Sequence, residues 1–341
     1  MSGSELKETA VNVLILTAGS RVLTVTAFKR AVAGRGRVIV TDASELAPSL
    51  YVADAHYVVP LITAPNYLAT ILDICREEKI DVVLSLLDPE LSLLAKNVDQ
   101  FEAIGTTVMI SPSDVIERAF DKWEMFQWLA AEGFLTPRSW ITLDGVKEEL
   151  DSGRAQFPLF VKSRTGSASA GIAKVEGWDE LVAAMAATPG LIIQEFLPGE
   201  PVDVDVYVDM ISGEVVSMFA KRKLRMRAGT ADKSVSFKNE QLFELVADFA
   251  KRCGFRGVID VDLFSTADGG WSILEVNPRF GGVYPHAYEC GLDFPSMLLR
   301  NLDGVANEPA IGNYEEDWTM LGYDAVVMRR IEGIANQPLK S

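Results

Sequence analysis

The sequence predicts an α/β domain followed by an α+β domain, and two observations carry that reading. Up to Ser111, apolar strand runs alternate with helix patterns, as in a doubly wound parallel sheet. Beyond Ser111, a pair of helix patterns is followed by strands that return in hairpin-like pairs, as in antiparallel sheet.

The elements follow in order. "VNVLILTA" is a continuous apolar run, suited to a strand buried on both faces, and it ends in Thr17, Ala18, Gly19 and Ser20. A helix pattern runs on to about Ala33. "RVIVTD" is a second strand closing at Asp42, "APNYLATILDICREE" an amphipathic helix, "DVVLSLLD" a third strand and "TTVMIS" a shorter fourth. "SPSDVIERAF" and "DKWEMFQWLAAEG" read as two helices, with Pro112 near the first turn of one and Gly133 ending the other. "FPLFVKSRTGSASAGIAKV" holds two strands around a loop of small residues. "LIIQEFLPGEPVDVDVYVDM" is a strand, a turn at Pro198-Gly199 and an alternating strand, and "GEVVSMFAKRKLRMRAG" continues the sheet. "NEQLFELVADFAKRCG" is a helix stopped at Gly254, and "GVIDVDLFS" and "WSILEVN" pair around "TADGG".

The composition is that of a globular chain, 48% hydrophobic and 23% charged, with a formal net charge of -16. That charge disfavours nucleic acid or an anionic membrane as the main target, since both reward basic surfaces. It leaves room for a local basic patch against a phosphorylated small molecule. Cys75, Cys253 and Cys290 have neither metal-ligand spacing nor a disulfide framework, which points to a reducing compartment. No apolar run approaches the ~20 residues of a membrane-spanning helix, and "MSGSELKETA" has no signal-peptide core. The expectation is a cytoplasmic protein.

Four stretches carry chemistry. Lys162 ends a strand and precedes "SRTGSASAG", whose small residues let backbone N–H groups approach phosphate oxygens; the alternative is a flexible hairpin loop. In "QEFLPGE", a strand edge offers backbone groups to a purine and a carboxylate to ribose hydroxyls; the alternative is a solvated turn. Asp260 and Asp262 share one face of their strand, and Glu275 and Asn277 one face of theirs. Pairing those strands sets oxygen ligands side by side, which suits Mg²⁺ completed by nucleotide phosphates, and Arg279 can fork onto phosphate oxygens. The apolar flanks Ile273, Leu274 and Val276 argue against a polar face open to water. The fourth stretch, "KRKLRMRAGTADKS", packs Lys221, Arg222, Lys223, Arg225, Arg227 and Lys233 together. Strand alternation would set Lys223, Arg225 and Arg227 on one face, where they could bind a substrate carboxylate; the alternative is a solvated basic edge. His286, close to the strand of Glu275, is a candidate base or substrate-orienting group, with a packed histidine as the alternative, and His56 reads as structural. A dehydrogenase reading of the first domain fails, because "TAGSR" has one glycine where G-x-G-x-x-G needs three.

Taken as an ordered set, Asp121-Lys122, "FVKSRTGSASAG", "IIQEFLPGEPVDVDVYV", "VIDVDLF" and "ILEVNPRFGG" resemble the ATP-grasp superfamily, in particular proteins related to the large subunit of carbamoyl-phosphate synthase. "VLILTAGSR" and "VTDASELAPSLYVADAHYVVP" are similar to the preATP-grasp domain of that group. The resemblance covers about residues 11–305. It implies a preATP-grasp, Rossmann-like parallel sheet over residues 1–111 and an ATP-grasp domain with antiparallel sheets over 112–305. A lid subdomain would span about 136–196, and a C-terminal strand and tail 306–341. It implies ATP with Mg²⁺, Mn²⁺ being a substitute. Lys122 and Lys162 would hold the phosphates, and the loop from Gly166 through Ser167 and Ser169 to Gly171 would close over them. Gln194, Glu195 and Leu197 would bracket the adenine and Glu200 the ribose. Asp262, Glu275 and Asn277 would coordinate Mg²⁺, and Arg279 would face an acyl phosphate. Beside these, the basic stretch itself offers Arg225 and Arg227 as further catalytic candidates, with Lys233 and His286 as substrate candidates. The implied activity is a ligase that activates a small-molecule carboxylate as an acyl phosphate for an amine or similar nucleophile. A single such unit, where the carbamoyl-phosphate enzyme has two, makes a different ligation the expectation. A homodimer through the first domain follows by family likeness. A nucleotide-binding regulatory module without turnover is the alternative, and the retained Lys122, Lys162, Asp262, Glu275, Asn277 and Arg279 argue against it.

Overall fold

Strand β1 (Val13–Leu16) is wholly apolar and wholly buried in the computed structural model, which describes residues 10–166, 173–227 and 229–332. A strand covered on both faces needs no polar residue. It is followed by α1 (Val22–Ala31), β2 (Val38–Asp42), β3 (Ala55–Val58), α2 (Tyr67–Glu78), β4 (Val82–Ser85), α3 (Asp88–Lys96), α4 (Val98–Glu102) and β5 (Thr107–Val108). The five strands pair in parallel in the order β3-β2-β1-β4-β5. Strand β3 is an addition to the sequence expectation. It is a short edge strand of alternating exposure whose four residues carry too little apolar signal. The winding goes from β1 out to β3 and then crosses back to β4, so its direction reverses between β1 and β4. Open α/β sheets take their ligands outside the carboxyl ends of the strands at such a switch point.

The helices α5 (Ser113–Phe120) and α6 (Lys122–Ala131) lead into a small antiparallel layer. It comprises β6 (Ser139–Trp140), α7 (Leu143–Asp151), β7 (Leu159–Ser163), β8 (Ala173–Val175), α8 (Trp178–Ala187) and β9 (Leu191–Glu195), with strand order β6-β9-β7-β8. Its own apolar cluster, built on Val146, Leu159, Val161, Leu181 and Ile193, holds it together as a unit.

The largest sheet comprises β10 (Pro201–Val208), β11 (Val215–Arg227), β12 (Thr230–Phe237), β13 (Gly257–Ser265) and β14 (Trp271–Asn277), with α9 (Glu240–Cys253) between β12 and β13. Beyond it come α10 (Tyr284–Glu289), α11 (Phe294–Leu302) and the edge strand β15 (Thr319–Leu321), and the sheet order is β14-β13-β10-β11-β12-β15. Alternation splits this sheet into two faces. Val202, Val204, Val206, Ile259, Val261 and Ile273 pack beneath Met125 and Leu129 of α6 and Leu242, Val246 and Phe249 of α9. On the opposite face Tyr207 and Phe219 join a core with Phe280, Tyr284, Val13, Ile15, Val25 and Phe28, so the parallel sheet and the large sheet share buried surface.

Candidate active site

The face of the large sheet that meets the parallel domain carries charge, and strand register arranges it in rows. Glu275, Asp262, Asp203 and Lys221 are direct partners on β14, β13, β10 and β11. One step along, Asn277, Asp260 and Asp205 form a second row. The inner part of this face is buried: exposure is 0% at Asp205 and Lys221, 3% at Asp203 and 6% at Asp260. Buried charge has to be paired, and lysines do the pairing. Lys221 contacts Asp205 and lies 3.2 Å from Asp203, and Lys223 contacts Asp262. Lys162 Nζ lies 3.0 Å and Lys122 Nζ 4.0 Å from the same Oε2 of Glu275.

The pairing sets the protonation states. Burial alone would raise the Glu275 carboxyl, but the Lys162 and Lys122 ammoniums hold it at about 2. Asp203 is likewise held at about 2 against burial by Lys221 and Lys223. At Asp205 burial outweighs Lys221, and its carboxyl rises to about 6. Burial and the neighbouring Asp203 push Asp260 well up. Burial lowers Lys122, an effect that Lys162 reinforces and Glu275 opposes.

Local structure delivers each lysine. Asp121 caps α6, accepting from the Trp123 N–H at 2.9 Å, and it also pairs with Arg164 at 2.6 Å. The cap thus ties the start of α6 to the end of β7 and aims Lys122 inward. Lys122 Nζ donates to the Gly166 carbonyl at 2.6 Å, where the backbone takes φ +81°, a conformation that favours glycine. Lys162, 5% exposed, comes from β7 itself. Arg279 donates to Asp88 Oδ2 at 2.9 Å, to the Phe280 carbonyl at 3.0 Å and to Asn277 Oδ1 at 3.1 Å. Asp88 opens α3 just past β4, so this ion pair joins the two domains at the switch point. The two glycines after Phe280 provide clearance. A Cβ at position 281 would stand 2.7 Å from Asp260 Cγ, and one at 282 would stand 2.6 Å from Arg21 Nη1.

These groups line a cavity of about 510 Å³. Its charged wall holds Lys122, Lys162, Lys223, Asp262, Glu275, Asn277, Arg279 and Arg21, and its apolar wall Phe160, Met226, Phe264 and Leu274. A bulge in the β13–β14 pairing skips Leu274, which lets Leu274 and its neighbour Glu275 both face the cavity. Asp262, Glu275 and Asn277 offer carboxylate and amide oxygens from adjacent positions, a hard donor set that fits Mg²⁺. The ammoniums that neutralise those carboxylates are suited to meet nucleotide phosphates.

Several expected residues stand elsewhere. Arg225 and Arg227 do not share a face with Lys223. Register shifts between Lys223, Arg225 and Met226 break the alternation, so Lys223 and Met226 face the cavity. Arg225 turns to Asp232 and Arg227 to Asp324 at 2.7 Å, both on the surface. Lys233 donates to the Gly322 carbonyl at 2.5 Å, toward β15 and away from the cavity. His286 is buried with both ring nitrogens engaged, by Ser234 Oγ at 2.8 Å and the Trp318 carbonyl at 3.0 Å. Burial and Lys221 lower its pKa to about 4, so it is a neutral packing residue rather than a base facing substrate. Gln194 is buried on Ser139 at 2.9 Å and Glu195 is forked by Arg138 at 3.0 Å. Leu197 is half-buried and Glu200 exposed, and these four do not line the cavity. Gly166 lines it; Ser167, Ser169 and Gly171 lie outside the described residues. Sequence reading passed over Asp203 and Asp205, although "VDVDVYVD" already sets them on one face. It also passed over Arg21 and Asp88, which no local pattern marks.

Comparison with known proteins agrees with this geometry. Residues 13–109 match the family described as PylC-like, N-terminal domain, and residues 119–283 the family described as ATP-grasp domain. A D-alanine–D-alanine ligase of Mycobacterium avium (strain 104) is 28% identical over 183 residues, 45% of this chain and 49% of that protein. The match thus spans about half the length of such curated relatives. Among solved structures, the biotin carboxylase domain of the Hydrogenobacter thermophilus 2-oxoglutarate carboxylase, in complex with MgADP, ADP and bicarbonate, superposes with TM-score 0.73 at 16% identity. It covers 90% of this chain and 73% of that one. The L-amino acid ligase of Bacillus licheniformis gives TM-score 0.66 at 20% identity, covering 88% and 75%. Fold and matched sequence point the same way: residues 119–283 are similar to the ATP-grasp domain family, and the residues before them to the PylC-like N-terminal domain.

Proposed function

We propose that the protein is an ATP-dependent ligase that activates a small-molecule carboxylate as an acyl phosphate and passes the acyl group to an amine or similar nucleophile. The observation that carries this reading is the meeting of Lys162 and Lys122, from separate elements, on Glu275 beside Asp262 in a buried cavity.

In this reading Lys122 and Lys162 leave Glu275 for the phosphates of ATP, and the backbone at Gly166 approaches them. Asp262, Glu275 and Asn277 hold Mg²⁺, or Mn²⁺ in its place. The bound ion supplies neutralisation of phosphate charge. The purine lies toward Phe160, Phe264 and Leu274 of the cavity wall. A carboxylate oxygen attacks the γ-phosphorus in line and ADP leaves. The nucleophile then attacks the acyl carbon, phosphate leaves, and the amine gives up a proton. Arg279, fixed by Asp88, presents its guanidinium to the acyl phosphate, where preorganised charge counts most because it needs no rearrangement during the step. The ligases that share sequence or fold with this chain support the reaction class.

The domain limits proposed are residues 1–111, 112–305 and 306–341, with a homodimer through the first domain and a cytoplasmic setting. ADP release measured across pooled carboxylates and amines tests the reading. Release that needs both substrates, and that Glu275→Gln abolishes, is expected; nucleotide bound without carboxylate-dependent turnover would replace the ligase with a regulatory module.

A further inference from the structure

Arg21 begins α1 just beyond the carboxyl end of β1, beside the switch between β1 and β4. Its guanidinium lines the cavity near Thr230, in the space that Gly282 leaves open. Among the described residues it makes no side-chain hydrogen bond and no ion pair; Asp88 and Asp260 act on it only at longer range. Asp88 is already bonded to Arg279, and Asp260 accepts from the Asn277 amide at 3.4 Å. Burial and the positive charge of Arg279 both lower the pKa of Arg21. A partly desolvated guanidinium beside a like charge is costly unless an anion joins it. The lysines that suit a triphosphate, Lys122 and Lys162, come from α6 and the small sheet, whereas Arg21 projects from the parallel domain. Arg225 and Arg227, which turn outward, are not placed to do this work.

We propose that Arg21 is the residue that binds a carboxylate of the substrate, gripping it with the two-pronged guanidinium fork from the parallel domain. The assignment rests on the ligase reading and names which side chain, and which domain, holds the acid. A planar fork matches a carboxylate, so lysine at this position keeps the charge and loses the geometry.

The test uses the full chain, phenylglyoxal as the arginine reagent, peptide mass mapping as the readout and succinate as the carboxylate probe. Arg21 is expected to be labelled in the free protein, shielded by succinate and not shielded by MgADP alone. In calorimetry with MgADP present, Arg21→Lys is expected to weaken succinate about ten- to a hundredfold, the effect of one charged hydrogen-bonded contact, with MgADP affinity unchanged. Shielding by MgADP alone would move Arg21 to the phosphates. Labelling indifferent to succinate, or succinate bound equally well by Arg21→Lys, would also overturn the assignment. Failure of the wild-type protein to bind MgADP would refute the ligase reading instead, and the labelling pattern would still decide the anion site.

Discussion

Replacing Lys221 by methionine should destabilise the fold far more than its distance from bulk solvent suggests. The ammonium lies in contact with Asp205 and 3.2 Å from Asp203, and both Lys221 and Asp205 are 0% exposed. Methionine fills nearly the same volume, so little packing is lost. What remains is a pair of buried carboxylates beside Asp260, with one of their counter-charges gone. Removing one partner of a buried pair costs about 3–5 kcal/mol, because the other charge stays desolvated and unpaired. Because Asp205 and Lys221 are fully buried and, of this cluster, only Asp203 and Asp260 border the cavity, the loss should fall within that range. A second change, Asp205→Asn, removes one of the stranded charges and should recover a large part of it. Urea unfolding of the wild-type protein, both single variants and the double variant gives the coupling directly. A loss below about 1 kcal/mol, the worth of an exposed ion pair, would mean that water reaches these carboxylates. The same holds if Asp205→Asn fails to rescue.

Other outcomes follow from the same geometry. Lys162→Ala should weaken MgADP by about 1.5–3 kcal/mol, since a charged hydrogen bond in a desolvated cleft is lost; unchanged affinity in calorimetry would count against a phosphate role. Turnover should cease in excess chelator, and activity surviving there would remove Asp262, Glu275 and Asn277 from metal binding. Arg227→Lys should leave MgADP affinity and turnover nearly unchanged, because Arg227 meets Asp324 on the surface; a lowered kcat/KM would return it to the substrate. Glu90, fully buried against Tyr67 and Ser85, has its carboxyl raised from 4.5 to about 8 by burial. Between those values the unfolded chain has released a proton that the folded chain keeps, so stability should fall as pH rises through that window. Glu90→Gln should flatten the decline, and urea midpoints that follow the same pH slope in both proteins would refute it.

Much of this site was open to local reading, and the reason is periodicity. A strand has a repeat of two, so "VIDVDLF" and "ILEVN" alone place Asp260 with Asp262 and Glu275 with Asn277, and the short turn "TADGG" brings the pairs together. The parallel sheet was equally legible in its apolar runs, apart from β3, whose half-exposed residues carry little pattern. Alternation misled at "KRKLRMR", where register shifts turn Met226 inward and Arg225 and Arg227 outward. A bulge depends on the partner strand, and no rule internal to the segment announces it. The choice of partner for each buried charge was also beyond the sequence. Lys162 reaches Glu275 from another sheet, Asp88 reaches Arg279 across 191 positions, and Arg21 has no acid in contact among the described residues. Sequence by itself therefore determined which side chains share a strand face, because that is a property of neighbouring residues. Tertiary structure alone decided which charges are neutralised, and that Arg21 meets no acid among the described residues, because burial and Coulomb energy depend on groups that meet only when the domains pack.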